Sequence, residues 1–453
     1  MKQGFIKISR FNEGLIVFKP DYYLNRGKKT ISDLIDKGFE KKNLEQISDK
    51  LYQGGIFKRV FLKKKENAFL YITATDMAKN EPLSNAKYIS KKYTPWIDEM
   101  TLKDKQILVS CAGTVGNTAL VNESYSGCIG SQEIIRIETS EILYGYLYAY
   151  LSSPLVNQYI QSMVYGAVIP RISPAELGKL PVLLISYKSQ KIIHDLIVES
   201  SNLRVQASKL LLEAQKHFED LAIDYKYGSE TNQYISIKQI SKDYKRFDAA
   251  YSIVSEKVDD TLKNSQISFE TIKSQSSNIF IGPRAKRTYV ENGIPFLTTS
   301  GMQKQNPTKT DRYISTKSSK GFIVSEGWIL TTRSGTLGDT IFTLPCLDGY
   351  AVTEDAIRIV VKDNSQLTNY YIYAFLKSNI GRNSLLSGSY GSVIQHLNED
   401  YIGNVKVPIL HKTVIQEINE KIKKHVELLN NAILKENESI DLIEKEIESW
   451  QKS

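Results

Sequence analysis

Cysteine is scarce. The 453-residue chain carries three, Cys111, Cys128 and Cys346, an odd set with no CxxC spacing. That excludes a disulfide framework and a thiolate-based structural zinc site, and leaves the fold to packing. Histidine is nearly as rare, and the five present (His194, His217, His396, His411, His425) show no metal-ligand spacing. No run approaches 18 consecutive apolar residues, and the opening MKQGFIKISRFNEG lacks the apolar stretch of a secretory signal. A cytoplasmic protein with no membrane partner is therefore expected. Neither a GxxxxGK[ST] phosphate loop nor an Asn/Asp-Pro-Pro-Tyr/Phe run occurs, so neither nucleotide hydrolysis nor amino-methyl transfer has a recognisable site. No catalytic residue, metal or cofactor is assigned to the chain.

What is present is positive charge and repetition. Lys and Arg number 59 against 50 Asp and Glu, a formal net charge of +9. Clustered cations gain affinity by releasing counterions from phosphates, so a polyanionic partner is expected. The segment Ile107-Leu-Val-Ser-Cys-Ala-Gly-Thr-Val-Gly-Asn-Thr118 aligns with Ile329-Leu-Thr-Thr-Arg-Ser-Gly-Thr-Leu-Gly-Asp-Thr340, offset by 222. Ile135-Arg136-Ile137 falls on Ile357-Arg358-Ile359 at the same offset. YITATDM ending at Met77 matches FLTTSGM ending at Met302, YAYLSSPL from Tyr148 matches YAFLKSNI from Tyr373, and Gly166-Ala-Val-Ile169 matches Gly391-Ser-Val-Ile394, all offset by 225. Collinear matches with so little drift mean two diverged copies of one fold. In each copy a β-branched run meets a Gly-Thr-x-Gly turn and continues apolar, the pattern of a β-hairpin. GYLYAYLSSPLVNQYIQSM and NYYIYAFLKSNIGRNSLL have helical apolar spacing and are read as the helix that follows. Each copy is α+β.

After each copy comes a longer rhythm. Ile193, Leu196, Ser200, Leu203, Ala207, Leu210, Ala214, His217 and Leu221 alternate steps of three and four. Ile415, Ile418, Ile422, Val426, Leu429, Ile433, Glu436, Ile440, Ile443, Ile447 and Trp450 do so with one stutter, and only Glu436 breaks the stripe. Helices of this length extend roughly 50–60 Å and read as spacers. The expected architecture is residues 1–187 as globular domain one, 188–224 as spacer helix one, 225–234 as linker, 235–411 as globular domain two and 412–453 as spacer helix two. Burying both stripes on each other makes the helices an antiparallel coiled coil with the two copies at opposite ends; the alternative is that each helix packs on its own domain or on a homodimer partner.

Two diverged copies, each followed by a long helix, resemble the specificity subunit of type I restriction-modification systems. The motifs that carry the likeness are Gly166–Val182 and Gly391–Val407, the strand-turn ILTTRSGTLGDT and SKDYKRFDAAY at the start of copy two. Copy one departs from the pattern at Arg10–Asn12, where RFN replaces RFD, and at Cys111, which stands where copy two has Arg333. The resemblance implies a non-catalytic subunit with two target-recognition domains, each reading one half of a bipartite, gapped site on double-stranded DNA. It implies docking of two methyltransferase (modification) subunits and of a restriction subunit, with S-adenosylmethionine, ATP and Mg bound by those partners. The rival readings are a coiled-coil nucleic-acid-binding adaptor and a lone methyltransferase or nuclease with fused recognition domains.

Phosphate contacts position a protein on DNA, whereas base contacts specify sequence. Gly282–Arg287 is a basic loop suited to phosphates through Arg284, Lys286 and Arg287, and its counterpart Gly54–Arg59 offers Lys58 and Arg59. Base readers need Arg, amide or hydroxyl groups on loops. Copy two offers Thr299, Ser300, Arg333 at the tip of its strand-turn, Tyr390, Gln395 and His396, and copy one offers Thr75, Asp76, Tyr165 and Arg171.

Overall fold

The computed structural model describes residues 24–166, 168–219, 221, 267–391 and 395–452. The stretches at Arg10–Asn12, Tyr225–Gln233 and Ser241–Tyr251 lie outside the described residues, as do Ala167 and Ser392–Ile394. Among the described residues no helix is long and apolar enough to cross a membrane. The chain divides into two units, one comprising residues 1–205 with 431–453 and the other residues 206–430.

Unit 1 contains β1 (Lys41–Asn43), β2 (Lys50–Gln53), β3 (Phe61–Leu62), β4 (Ala68–Ile72), β5 (Lys87–Ser90), β6 (Ile107–Ser110), β7 (Thr118–Leu120), β8 (Ile129–Gly130), β9 (Ile134–Glu138) and β10 (Pro181–Leu183). They form an antiparallel sheet in the order β2-β9-β6-β7, a smaller sheet β3-β5-β4-β8 whose last pair is parallel, and the pair β1-β10. Unit 2 contains β11 (Phe269–Thr271), β12 (Ser276–Ile281), β13 (Tyr289–Val290), β14 (Ile294–Leu297), β15 (Tyr313–Ile314), β16 (Ile329–Thr332), β17 (Thr340–Phe342), β18 (Ala351–Val352), β19 (Ala356–Val361) and β20 (Lys406–Pro408). Its sheets are β12-β19-β16-β17, β13-β15-β14-β18 and β11-β20. Among the described residues every strand pairing of unit 1 recurs, including the parallel one, here between β14 and β18. The repeat read from the sequence is a repeat of topology.

Period-two alternation explains how the larger sheet is used. Ile107, Val109, Ile135 and Ile137 point into a core shared with the helices. Leu108, Ala119 and Ile134 point the other way, toward Ile72, Met77 and Leu102. Arg136 lies on that second face, between the sheets. Both faces are buried, so the strands are apolar at nearly every position. The β6–β7 and β16–β17 hairpins turn on Gly113, Gly116, Gly335 and Gly338, each with φ between +71° and +88°, a region costly for a side chain.

The helix expected after each hairpin is two helices. Tyr144–Ser152 is followed by Pro154–Ser162, and Asn369–Lys377 by Asn379–Ser387. Pro154 has no N–H to continue the first helix and disfavours helical geometry at Ser153, which caps the second helix instead. Copy two lacks the proline, and Ser378 makes the same break by accepting a hydrogen bond from the Gly381 N–H at 3.2 Å.

The long helices are Tyr187–Glu219 and Lys412–Lys452. Within unit 1, Ser189 meets Glu446, Glu199 meets Lys435, and the Ser200 hydroxyl donates to the Ala432 carbonyl at 2.7 Å, so these parts run antiparallel. Within unit 2, Ala207 meets His425 and His217 meets Glu417, again antiparallel. The buried line on the first helix is Ile193, Ile197, Ser200, Arg204, Ala207, Leu211, Ala214 and Phe218. Relative to the expected seam, Leu196, Leu203, Leu210 and His217 each yield to a neighbour one position on. The shift admits a charge: Arg204 pairs with Glu436 at 2.7 Å, both are more than 90% buried, and Glu436 also accepts from the Tyr148 hydroxyl at 3.2 Å.

Removing one partner of a buried pair strands the other charge. Glu436→Ala is expected to cost about 3–5 kcal/mol, and the apolar double replacement Arg204→Met with Glu436→Leu to recover most of it. Urea unfolding of the single and double variants checks this. A single variant as stable as the parent would contradict it.

Candidate nucleic-acid interface

In each unit the turn between β8 and β9, or β18 and β19, ties the loops singled out by sequence to one another. In unit 1, the Ser131 N–H donates to Ile72 O at the end of β4 at 3.0 Å. The Glu133 carbonyl accepts from Cys111 N–H at 3.0 Å, and the Gln132 carbonyl accepts from the Gln53 side chain at the end of β2. In unit 2, Thr353 N–H donates to Leu297 O at 3.0 Å and Asp355 O accepts from Arg333 N–H at 2.9 Å. Asp355 also receives the Ser334 hydroxyl at 3.0 Å, and Glu354 pairs with Arg287 at 3.2 Å. The turn therefore gathers the basic loop, the segment after β4 or β14, and the base of the hairpin.

A fourth segment joins the hairpin. Tyr165 and Arg171 pair through their backbones at 2.9 and 2.8 Å, and Ile172 N–H donates to Cys111 O at 3.1 Å. Tyr390 and His396 pair in the same way at 3.0 and 2.7 Å, and Leu397 N–H donates to Arg333 O at 3.0 Å. The hairpin turns are pinned from behind by different chemistry. Asn157 donates to Gly116 O at 2.7 Å in unit 1, whereas Arg382 pairs with Asp339 at 3.2 Å in unit 2.

The sequence candidates fall into two groups on this framework. Lys58, Arg59, Thr75, Tyr165, Arg171, Arg284, Lys286, Ser300, Tyr390 and Gln395 are exposed. The others are engaged or withdrawn. Arg287 is half-buried against Glu354 and lies 5.2 Å from the Phe296 ring centroid. Its counterpart Arg59 donates to the Tyr71 hydroxyl at 3.1 Å. Asp76 is buried in a turn, accepting from the Thr73 hydroxyl at 2.7 Å and pairing with Lys79 at 3.3 Å. Thr299 is half-buried in the first turn after β14. Arg333 is not at the hairpin tip, where Gly335 and Thr336 are exposed. It is 7% exposed, and its Nε is buried with no hydrogen-bond partner. His396 is half-buried with its Nδ1 in the same condition.

Sequence reasoning missed Gln53, Gln132, Glu354 and Asp355, which fasten the loops, and it saw Arg136 and Arg358 only as a repeat match. Both arginines are fully buried. Arg136 donates to the carbonyls of Ile134 (2.9 Å), Gly130 (2.8 Å) and Met100 (3.3 Å). Arg358 donates to Thr353 O at 2.9 Å and to Ala356 O and Val352 O. Burial lowers the affinity of both for their protons and brings the pKa of Arg358 down to about 10; a guanidinium remains charged at neutral pH. The signal was an arginine amid β-branched residues on a strand whose neighbours are all core.

The family model described as "Type I restriction modification DNA specificity domain" matches residues 36–211 and again residues 281–441. No curated protein matches the chain. Solved structures similar to it include the S subunit of a type I restriction-modification system from M. genitalium, at 16% identity and a TM-score of 0.33, covering 91% of this chain and 93% of that one. The HsdS subunit from Thermoanaerobacter tengcongensis matches at 15% identity and a TM-score of 0.28, covering 91% and 96%. A chain from a study of complex assembly and conformational transition in the type I R-M system matches at 14% and 0.28, covering 92% and 97%.

The thiol at the interface gives a direct check on burial. Burial pushes Cys111 and Cys128 up to about 11, whereas Cys346 is only half-buried. At pH 8 the thiolate fraction of the first two is on the order of one part in a thousand. A thiol probe on the native protein is expected to modify Cys346 first. Rapid modification of Cys111 would contradict the packing described.

Proposed function

The chain belongs to the type I restriction modification DNA specificity family, and from that premise we propose that its two copies read the two unlike halves of one gapped duplex site. It is a DNA sequence-specificity subunit with two recognition domains, and DNA and the restriction-modification complex are its partners. The observation that carries the proposal is one topology presented twice with different side chains on the same framework. Cys111 in copy one answers to Arg333 in copy two, Ile56 to Arg284 and Arg171 to His396. Identical surfaces would favour a palindrome, and these favour an asymmetric site.

The exposed cations Lys58, Arg59, Arg284 and Lys286 are the phosphate contacts in this reading. Tyr165, Arg171, Tyr390, Gln395 and His396, on the paired loops beside the hairpins, face base edges, with Thr75, Thr299 and Ser300 at the neighbouring turn. Arg287 and Asp76 shape their loops. Arg333 is held below the surface, where its unpaired Nε supports a role in reading or in shaping the reader. The long helices set the gap between half-sites and carry two modification subunits, and a restriction subunit completes the complex. S-adenosylmethionine, ATP and Mg belong to those partners, because this chain has neither the phosphate loop nor the amino-methyltransferase run. In this reading the chain recognises DNA without catalysing a step itself and works in the cytoplasm.

Expression of the chain with its methyltransferase partner, followed by mapping of methylated bases, tests the reading. A single gapped motif with unlike halves is expected. Unmodified DNA despite a stable complex would overturn it.

A further inference from the structure

The guanidinium of Arg136 and that of Arg358 face inward from β9 and β19, and among the described residues no carboxylate hydrogen-bonds either one. Their acceptors are main-chain carbonyls: Gly130, Ser131 and Ile134 around Arg136, and Val352, Thr353 and Ala356 around Arg358. Those carbonyls flank the β8–β9 and β18–β19 turns. The same turns hold the segment after β4 or β14, the base of the hairpin and, through Gln53 or Arg287, the basic loop. Each arginine also reaches a carbonyl beyond the turn, Met100 O for Arg136 and Phe322 O for Arg358, joining it to the smaller sheet's surroundings.

A second feature is matched to this group. Gly54 and Gly282 open the two basic loops, and a Cβ on Gly282 would lie 3.2 Å from Nη2 and 3.3 Å from Nη1 of Arg358. On Gly54 it would lie 3.4 Å from Nη1 of Arg136 and 2.2 Å from the Met100 sulfur. The first residue of each loop therefore rests on the buried cation or its immediate neighbour. A guanidinium presents five donors in a rigid plane, so it fixes several carbonyls at once, which the three donors of a lysine on a flexible stem do not reproduce.

We propose that Arg136 and Arg358 are positioning residues for sequence recognition, each setting the geometry of the DNA-reading loops of its own copy and of no other. The inference rests on the proposed reading of a bipartite site. An arginine that served only to hold its copy together would lower stability and overall affinity and leave intact the ratio by which that copy tells right from wrong bases.

The test uses the full chain in complex with its modification subunits and duplexes carrying single-base changes in either half of the methylated motif. For Arg358→Lys, discrimination against changes in one half-site is expected to fall at least tenfold while the other half stays within about twofold of the parent. Arg136→Lys is expected to do the reverse. Should a lysine variant fail to assemble, Gly282→Ala, which keeps the charge and nudges the guanidinium, decides in its place with the same half-site readout at smaller amplitude. Equal losses at both halves, or an unchanged profile in a folded variant, would overturn the proposal. A parent complex that selects no gapped motif would instead overturn the reading on which it rests.

Discussion

A charged guanidinium sealed between two β-sheets is the constraint around which each copy is organised. Moving such a group out of water is expensive, and without a counter-charge it persists only if its donors are satisfied. Here main-chain carbonyls do this, and they come from the turn that joins the smaller sheet to the larger one. The charge is thereby exchanged for order: carbonyls that would otherwise be free to reorient are aimed at one plane. Arg136 Nε and Arg358 Nε remain without a partner, the same residual cost at the same place in both copies. The hairpin, the basic loop and the segment after β4 or β14 are all fastened to the outer side of that turn.

The scaffold below this level is shared and the surface above it is not. Strand order, the β4–β8 and β14–β18 parallel pairs and the helix break recur, while the groups that fasten or line the loops change in kind. The main-chain carbonyl of Gln132, held by the Gln53 amide, corresponds to a carboxylate at 354, an asparagine at 157 to an arginine at 382, and a tyrosine hydroxyl at 71 to the ring of Phe296. Substituting fasteners in this way changes loop geometry and surface charge without disturbing the core. That is the property a protein needs if it is to read two different sequences with one fold.

Much of this was legible beforehand. The offset matches of 222 and 225 announced two copies, Gly-Thr-x-Gly announced the hairpins, and the isoleucine stripe announced the helix Lys412–Lys452. Those features are local or periodic, and period is what sequence displays. Features that depend on a partner distant in the chain were not legible. Glu436 was visible as a break in a stripe, but its partner Arg204 lay off the seam that apolar spacing suggested, because a charge is not counted as core until its counter-ion is known. The interruption at Ser153–Pro154 was hidden by continuous apolar periodicity on either side. Arg333 read as an exposed loop arginine because turn position says nothing about what packs over it. Arg136 and Arg358 sat in plain view within Ile-Arg-Ile, where alternation alone would have put the arginine toward solvent, and only a second sheet on that face buries it.

Hydrogen–deuterium exchange of the full chain in its complex, with and without duplex carrying the methylated motif, tests the central claim most directly. The account predicts protection in two matching sets: 54–59, 111–117, 131–133 and 165–171 in copy one, and 282–287, 333–339, 353–355 and 390–396 in copy two. Protection confined to one copy, or falling on β7 and β17 rather than on these loops, would contradict it.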